Sequence, residues 1–362
     1  MKAGHPYCRA CIQFPLETVT PTLRETKVVA IQLGYALTEP QRLISEGLLT
    51  CYRLRQSAMV DAVTGSGKTE IVFALIQVAL AEGKRIGFVI PRRDVVQELA
   101  PRFQSVFPSL TITSVFGGHD DKLEGDLIVL TTHQLYRYDQ YFDVLIFDEV
   151  DAFPYQGNPT LEAFVKRSTK GIIVYLSATF TKENLIAFTN QGGKVFHLYH
   201  RYHGYPVPTL SLQIRPFLLK WIDIVLNLYA FRKAKKPVFI FVPTIALGRI
   251  LLVWLSIFFP NTKFVYSSSQ FRTETIALFK QDPNFFLITT AILERGITVP
   301  HLQVIIFSGD HVLYTRSMLI QMAGRVGRKI VSPTGKVMVL ADRLTPQIQE
   351  ANANIEFANA HV

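Results

Sequence analysis

The chain has 362 residues, 49% of them hydrophobic and 18% charged, with 38 Lys and Arg against 28 Asp and Glu. At about 150 residues per domain, that length is expected to give two globular domains with full cores. The net charge of +10 and the pI near 9.4 point to an anionic partner, nucleic acid first. Three cysteines cannot build a disulfide framework, so a cytoplasmic location is expected.

The first residues are polar and hold Pro6 and Cys8, which does not read as a signal peptide. Cys8 and Cys11 form a CxxC pair whose thiolates could supply half of a tetrahedral Zn²⁺ site, with His5 as a third candidate ligand. A closed structural site needs four ligands, and the sequence has no second pair. Cys51 lies in a helix-like segment and reads as a small buried residue.

From about Val28, apolar strand-like runs alternate with helix-like runs, the signature of βαβ units and a parallel sheet. Strands are predicted at Ala58–Val60, Arg85–Ile90, Thr111–Val115, Leu127–Thr131, Val144–Phe147 and Gly171–Leu176. Between the first of these and the helical run Ile71–Leu80 stands AVTGSGKT, Ala62 to Thr69. This reads as a phosphate-binding loop with Ala62 where the usual pattern has Gly. Thr64, Gly65, Ser66 and Gly67 would turn backbone N–H groups onto phosphate oxygens at a helix N-terminus. Lys68 would reach the β- and γ-phosphates of ATP, and Thr69 would hold Mg²⁺.

The strand Val144–Phe147 delivers Asp148 and Glu149 at its C-terminal end, the edge where open α/β sheets bind ligands. Two acids there can be a turn or a cap; beside the phosphate loop they read as a Mg²⁺ ligand (Asp148) and a water-polarising base (Glu149).

Tyr199 to Pro216 carries several prolines without a helical period and reads as a linker. The pattern then restarts, with strands predicted at Pro237–Phe241, Lys263–Tyr266, Phe285–Thr289, Gln303–Phe307 and Gly335–Leu340 and no second GKT. The most apolar run, Ile250–Phe259, is too short to span a bilayer and reads as a buried helix. In QMAGRVGR, Gln321 to Arg328, Arg325 and Arg328 stand three residues apart at one end of a probable helix. Arginines supplied from a second domain can stabilise charge on a transferring γ-phosphoryl group.

The ordered set AVTGSGKT, DEVD (Asp148–Asp151), SAT (Ser177–Thr179), TTAILERGITVP (Thr289–Pro300) and QMAGRVGR resembles the superfamily 2 helicases of the DEAD/DEAH-box type. The resemblance implies an α/β fold of two RecA-like domains with mainly parallel sheets that close on ATP and reopen after hydrolysis. It implies that Ser177 and Thr179 couple nucleotide to nucleic acid, that Gln41 reads adenine, and that Gly296 and Thr298 bind nucleotide and strand backbone. Arg325 and Arg328 match the arginine-finger motif, with Arg328 favoured for the γ-phosphate. Arg92, Arg93, Thr131, Thr132 and Thr289 fall where that superfamily grips a phosphate backbone, with Phe116-Gly117-Gly118 as a weaker candidate.

A zinc module ahead of a helicase core with DEVDAFPY and RVGRK resembles, over essentially the whole chain, the ComFA family of late-competence DNA-uptake ATPases. The expected first CxxC is missing, which gives residues 1–28 as a partial zinc-module stub, 29–205 as an ATP-binding RecA-like domain and 206–362 as a second RecA-like domain. The family implies ATP and Mg²⁺ as cofactors, with Zn²⁺ at Cys8 and Cys11 in doubt. It implies single-stranded DNA as partner and a place at the cytosolic face of the membrane, through competence proteins of the uptake channel rather than a membrane span. A PriA-type replication-restart helicase is the nearest rival, although its zinc cysteines interrupt the second half. An ATP-gated DNA-binding adaptor with little turnover is the alternative of another class.

Overall fold

A computed structural model describes residues 19, 26–119, 122–151, 155, 157–267, 269–282, 285–291 and 298–361. They divide into two compact units. One runs to Leu198 apart from Val63–Ser66; the other takes Val63–Ser66 and the chain from Tyr199 on.

The first unit is a seven-stranded sheet. Its strands are β1 (Ala58–Ala62), β2 (Ile86–Ile90), β3 (Ile112–Val115), β4 (Leu127–Thr131), β5 (Phe142–Asp148), β6 (Thr169–Ser177) and β7 (Lys194–Leu198). They lie in the order β3-β4-β2-β5-β6-β1-β7, and every pairing is parallel. The central strands β2 and β4 are buried at every position, as expected for a parallel sheet covered on both faces. The helices are α1 (Glu39–Arg53), α2 (Phe73–Ala81), α3 (Arg93–Val106), α4 (Pro159–Ser168) and α5 (Lys182–Asn190). Leu48 of α1, Ile76 of α2 and Phe103 of α3 join Val60 and Phe88 of the sheet in one core. Tyr138, Tyr141, Phe147 and Val165 belong to the core on the other side of the strands. Each large side chain so buried contributes roughly 1.5–3 kcal/mol. Cys51 is buried on α1, as its sequence context predicts.

The second unit is a six-stranded parallel sheet in the order β10-β11-β9-β12-β13-β8. Its strands are β8 (Leu210–Ile214), β9 (Val238–Phe241), β10 (Lys263–Val265), β11 (Phe286–Thr289), β12 (Gln303–Phe307) and β13 (Val337–Ala341). The helices are α6 (Phe217–Lys233), α7 (Ile245–Phe258), α8 (Arg272–Gln281), α9 (Arg316–Ala323) and α10 (Pro346–Ala360).

Two expectations are corrected here. Part of the stretch read as a linker is strand β8, which pairs with β13 through Leu210↔Val337 to Ile214↔Ala341. The run read as a buried helix is α7, and only its Gly248, Leu251 and Leu255 stripe is buried. Ile250, Val253 and Ile257 face outward, exposed by 59%, 70% and 68%. Among the described residues no helix is long and apolar enough to cross a membrane.

Gly171 stands at an irregularity where the β5–β6 register shifts between Phe142 and Val144. A Cβ at that glycine would collide with the carbonyl of Asp143, a backbone atom with little room to yield. Gly171→Ala is therefore expected to cost about 1–3 kcal/mol. Thermal denaturation checks this against Gly34→Ala, whose added methyl meets nothing within 4 Å and is expected to be neutral.

Candidate functional site

In the first unit β5, β6 and β1 are neighbours, and the register pairs Asp148↔Leu176 and Asp61↔Ser177 bring their C-terminal ends to one edge. The phosphate loop follows β1 at that edge, the acidic pair closes β5, and Ser177 closes β6. This is how a parallel sheet gathers residues more than a hundred positions apart.

Gly65 and Gly67 adopt φ of 82° and 83°, the left-handed region that favours glycine. A Cβ at Gly67 would run into the Gln41 side-chain amide, so glycine is needed for space as well. Gln41 is buried at the start of α1, where its Oε1 accepts the Thr38 N–H at 2.9 Å. One residue thus caps a helix and places its amide against the phosphate loop. Lys68 Nζ lies 3.9 Å from Asp148 Oδ1, both side chains mostly enclosed.

Asp148 Oδ1 also accepts the Glu149 N–H at 2.9 Å, and that N–H reaches the Leu176 carbonyl at 3.0 Å. Glu149 sits at φ 61°, a conformation costing a non-glycine residue roughly 1–2 kcal/mol. The neighbouring strand therefore holds a strained turn at the acid. Ser177 Oγ donates to Asp151 Oδ1 at 2.6 Å, and the Thr179 N–H donates to Ser177 Oγ at 3.0 Å. The SAT segment is thereby bonded directly to the acidic one.

The donor set fits a nucleoside triphosphate with Mg²⁺. Two left-handed glycines open the loop, and Lys68 faces the carboxylate of Asp148. Thr69 is buried beside Lys68 at the start of a 3₁₀ turn, and the buried Thr64 hydroxyl has no hydrogen-bond partner among the described residues.

Three residues beside this loop have no place in the sequence reading. The Tyr35 hydroxyl donates to Glu70 Oε1 at 2.8 Å, and Arg102 forms an ion pair with the same carboxylate. Burial of the hydroxyl end and the Glu70 charge push the Tyr35 phenol above its ordinary pKa. The available signal was local: Glu70 directly follows Thr69, and Tyr35 precedes Gln41 by six positions.

The nucleic-acid candidates of the first unit share the same sheet edge further along. Ile90 of β2 pairs with Thr131 of β4, and Val115 of β3 with Leu130, so Arg92-Arg93, Thr131-Thr132 and Phe116 follow three adjacent strand ends. Arg92 is paired with Asp94 at 3.0 Å. Arg93 is exposed, with its guanidinium 5.9 Å from the Phe116 ring. Thr131 and Thr132 are buried, as is Thr289 at the end of β11, whose hydroxyl donates to the Thr290 carbonyl at 2.9 Å. Among the candidate side chains at that edge Arg93 is exposed, whereas Thr131 and Thr132 are not.

In the second unit, α9 ends at Gly324 and the chain turns through Arg325 to Arg328. Arg325 is 1% exposed, whereas Arg328 is half-buried and donates from Nε to the Gly324 carbonyl at 2.9 Å. Thr298 is half-buried. Gly296, Cys8 and Cys11 lie outside the described residues, among which no cluster of His, Cys, Asp or Glu could hold a metal ion.

Two parallel-sheet units, the first with a phosphate loop at its sheet edge, are the parts of a two-domain helicase core. A family described as "Type III restriction enzyme, res subunit" matches residues 34–182, and "Helicase conserved C-terminal domain" matches residues 220–329. Dbp5 of S. cerevisiae bound to RNA and ADP BeF3 superposes with a TM-score of 0.63 at 16% identity, covering 91% of this chain and 93% of that one. A leucine-to-valine variant of Dbp5 in the same bound state gives the same values. At that identity the likeness shows the fold, two RecA-like domains with parallel sheets. The chain is also 36% identical to "Competence protein ComFA" of Streptococcus pneumoniae, over 98% of its length and 86% of that protein. With the Bacillus subtilis protein of the same name it shares 32%, over 98% and 80%. The chain belongs to the ComFA family of competence proteins, helicase-type ATPases of superfamily 2 that use ATP and Mg²⁺.

Proposed function

We propose that this protein is a single-stranded-DNA-stimulated ATPase that translocates on the strand during DNA uptake in natural transformation, working at the cytosolic face of the membrane through partner proteins of the uptake channel. The observation that carries this reading is the convergence of the phosphate loop, Asp148-Glu149 and Ser177 on one sheet edge. Lys68 and the loop N–H groups would neutralise the β- and γ-phosphates, and Thr69 and Asp148 would hold Mg²⁺, which would supply positive charge against the negative charge that develops there. Glu149 orients the attacking water and takes its proton. Arg325 and Arg328 supply positive charge from the second domain, a contribution of about 10³-fold or more in rate, so hydrolysis depends on domain closure. The Ser177–Asp151 hydrogen bond gives the coupling motif a direct mechanical link to the acidic one.

Steady-state ATP hydrolysis with single-stranded DNA, duplex DNA and RNA tests the reading. Single-stranded DNA is expected to stimulate turnover most; equal stimulation by RNA, or none by any strand, would contradict it. Arg93→Ala is expected to weaken strand binding without regard to sequence and to lower the salt slope of the affinity by about 0.7 to 1. Fluorescence-anisotropy titrations at several salt concentrations read that slope.

A further inference from the structure

The turn bearing Arg325 and Arg328 is held by a segment far away in sequence. Arg201, 2% exposed, donates from Nη1 to the carbonyls of Val326 at 3.1 Å and Gly327 at 2.9 Å, from Nη2 to that of Gly324 at 3.4 Å, and from Nε to that of Thr64 in the phosphate loop at 3.0 Å. His203 Nε2 meets the Gly327 carbonyl at 2.8 Å. Its Nδ1 accepts the Tyr205 N–H at 3.1 Å, which fixes the tautomer and makes Nε2 the donor. The Tyr202 hydroxyl donates to the Arg328 carbonyl at 3.0 Å.

Three consecutive-neighbourhood side chains thus occupy carbonyls at Gly324, Val326, Gly327 and Arg328, groups that the end of α9 and the turn leave without ladder partners. Gly327 is shaped for this contact. It sits at φ 68°, and a Cβ there would stand 3.1 Å from Arg201 Nη1 and collide with the Pro333 carbonyl. Burial, with the Arg328 charge second, pushes the Arg201 guanidinium down to about 9, so it stays protonated at neutral pH and its charge is met by the ring of carbonyl oxygens.

We propose that Arg201, Tyr202 and His203 form a clasp that sets the backbone conformation of the Gly324–Arg328 turn and so aims its arginines. These are positioning residues: Tyr202 and His203 bond the turn, and Arg201 bonds both the turn and the Thr64 carbonyl of the phosphate loop. The proposal rests on the reading of Arg325 and Arg328 as γ-phosphate ligands. It gives the segment between the two sheets a task beyond connection, since that segment grips the second unit's catalytic turn just before strand β8 begins.

The experiment uses the full chain with single-stranded DNA and compares Arg201→Lys, Tyr202→Phe, His203→Ala, His203→Gln and, as reference, Arg328→Ala. Lysine keeps the charge but cannot span four carbonyls. Arg201→Lys is expected to lower kcat about 10²-fold, the cost of a misplacement near 1 Å, while Tyr202→Phe and His203→Ala, whose bonds go to the turn and not to the phosphate loop, should keep KM for ATP and affinity for ADP within twofold of the parent. Affinity for ADP with aluminium fluoride should fall in parallel with kcat, which a general loss of folding would not produce. Tyr202→Phe, at an exposed position that leaves folding intact, should lower kcat about 2- to 10-fold. His203→Ala should lower it as well, and His203→Gln, whose amide still donates to the Gly327 carbonyl, should restore it. If Arg328→Ala lowers kcat while Arg201→Lys and Tyr202→Phe leave both kcat and the aluminium fluoride complex unchanged, the clasp is wrong and the arginine reading stands. If ADP affinity falls along with kcat in Tyr202→Phe and His203→Ala, the residues only support the fold and the proposal fails. If Arg328→Ala itself changes nothing, the arginine reading fails and takes the clasp with it.

Discussion

Glu149→Gln is expected to lower strand-stimulated ATP turnover by about 10²- to 10⁴-fold while leaving ATP binding intact or tighter. Glutamine has the size of glutamate and can occupy the same left-handed backbone position, φ 61°, held by the Leu176 carbonyl and by Asp148. What it lacks is a lone-pair site basic enough to take the proton of an attacking water. The change therefore removes chemistry and leaves geometry. Single-turnover hydrolysis alongside equilibrium nucleotide binding separates these effects. An ATP-gated clamp with little turnover has no use for a water activator, so its DNA-loading function would survive the substitution, whereas a motor would stall on DNA with ATP bound. Turnover within twofold of the parent would move water activation to another residue.

Lys68→Ala is expected to raise KM for ATP and lower kcat together, the latter by about 10²- to 10³-fold. Its ammonium lies 3.9 Å from Asp148 Oδ1 in a mostly enclosed site. At an effective dielectric near 20, unit charges at such a distance interact by about 4 kcal/mol. Deleting the cation removes the charge that balances Asp148 and the incoming phosphates at once, so binding and transition state both suffer. Arginine is not an adequate replacement, because its planar fork is larger than the space a compact ammonium fills beside the loop. Nucleotide titrations and initial rates check this; a KM equal to the parent's would mean that the loop binds phosphate without Lys68.

The parts of the fold legible in sequence are those whose signal is local and strong. Val144–Phe147 and Val304–Phe307 are unbroken apolar runs, and they form strands buried on both faces. Strands β7 and β8 escape the same reading because they are sheet edges. Lys194–Leu198 mixes charge and His with apolar residues, and Leu210–Ile214 is half exposed and lies among Pro206, Pro208 and Pro216. In α7 the apolar composition suggested burial, yet only every third or fourth residue turns inward. At the site, the phosphate loop and Asp148-Glu149 announce themselves by spacing. The hydrogen bond of Ser177 to Asp151 depends on β5 and β6 being neighbours, which the order of elements along the chain does not state. Arg201 is harder still: a lone arginine among tyrosines and histidines has no periodicity, and its partners lie more than 120 positions away.

The central claim is that ATP hydrolysis moves this protein along single-stranded DNA. Its most direct test is displacement of streptavidin from oligonucleotides biotinylated at either the 5′ or the 3′ end, followed with ATP, with a non-hydrolysable analogue, and with Lys68→Ala. The account predicts ATP-dependent displacement from one end only, absent with the analogue and with Lys68→Ala. Strand-stimulated hydrolysis without displacement from either end would contradict it and leave an ATP-gated DNA clamp in its place.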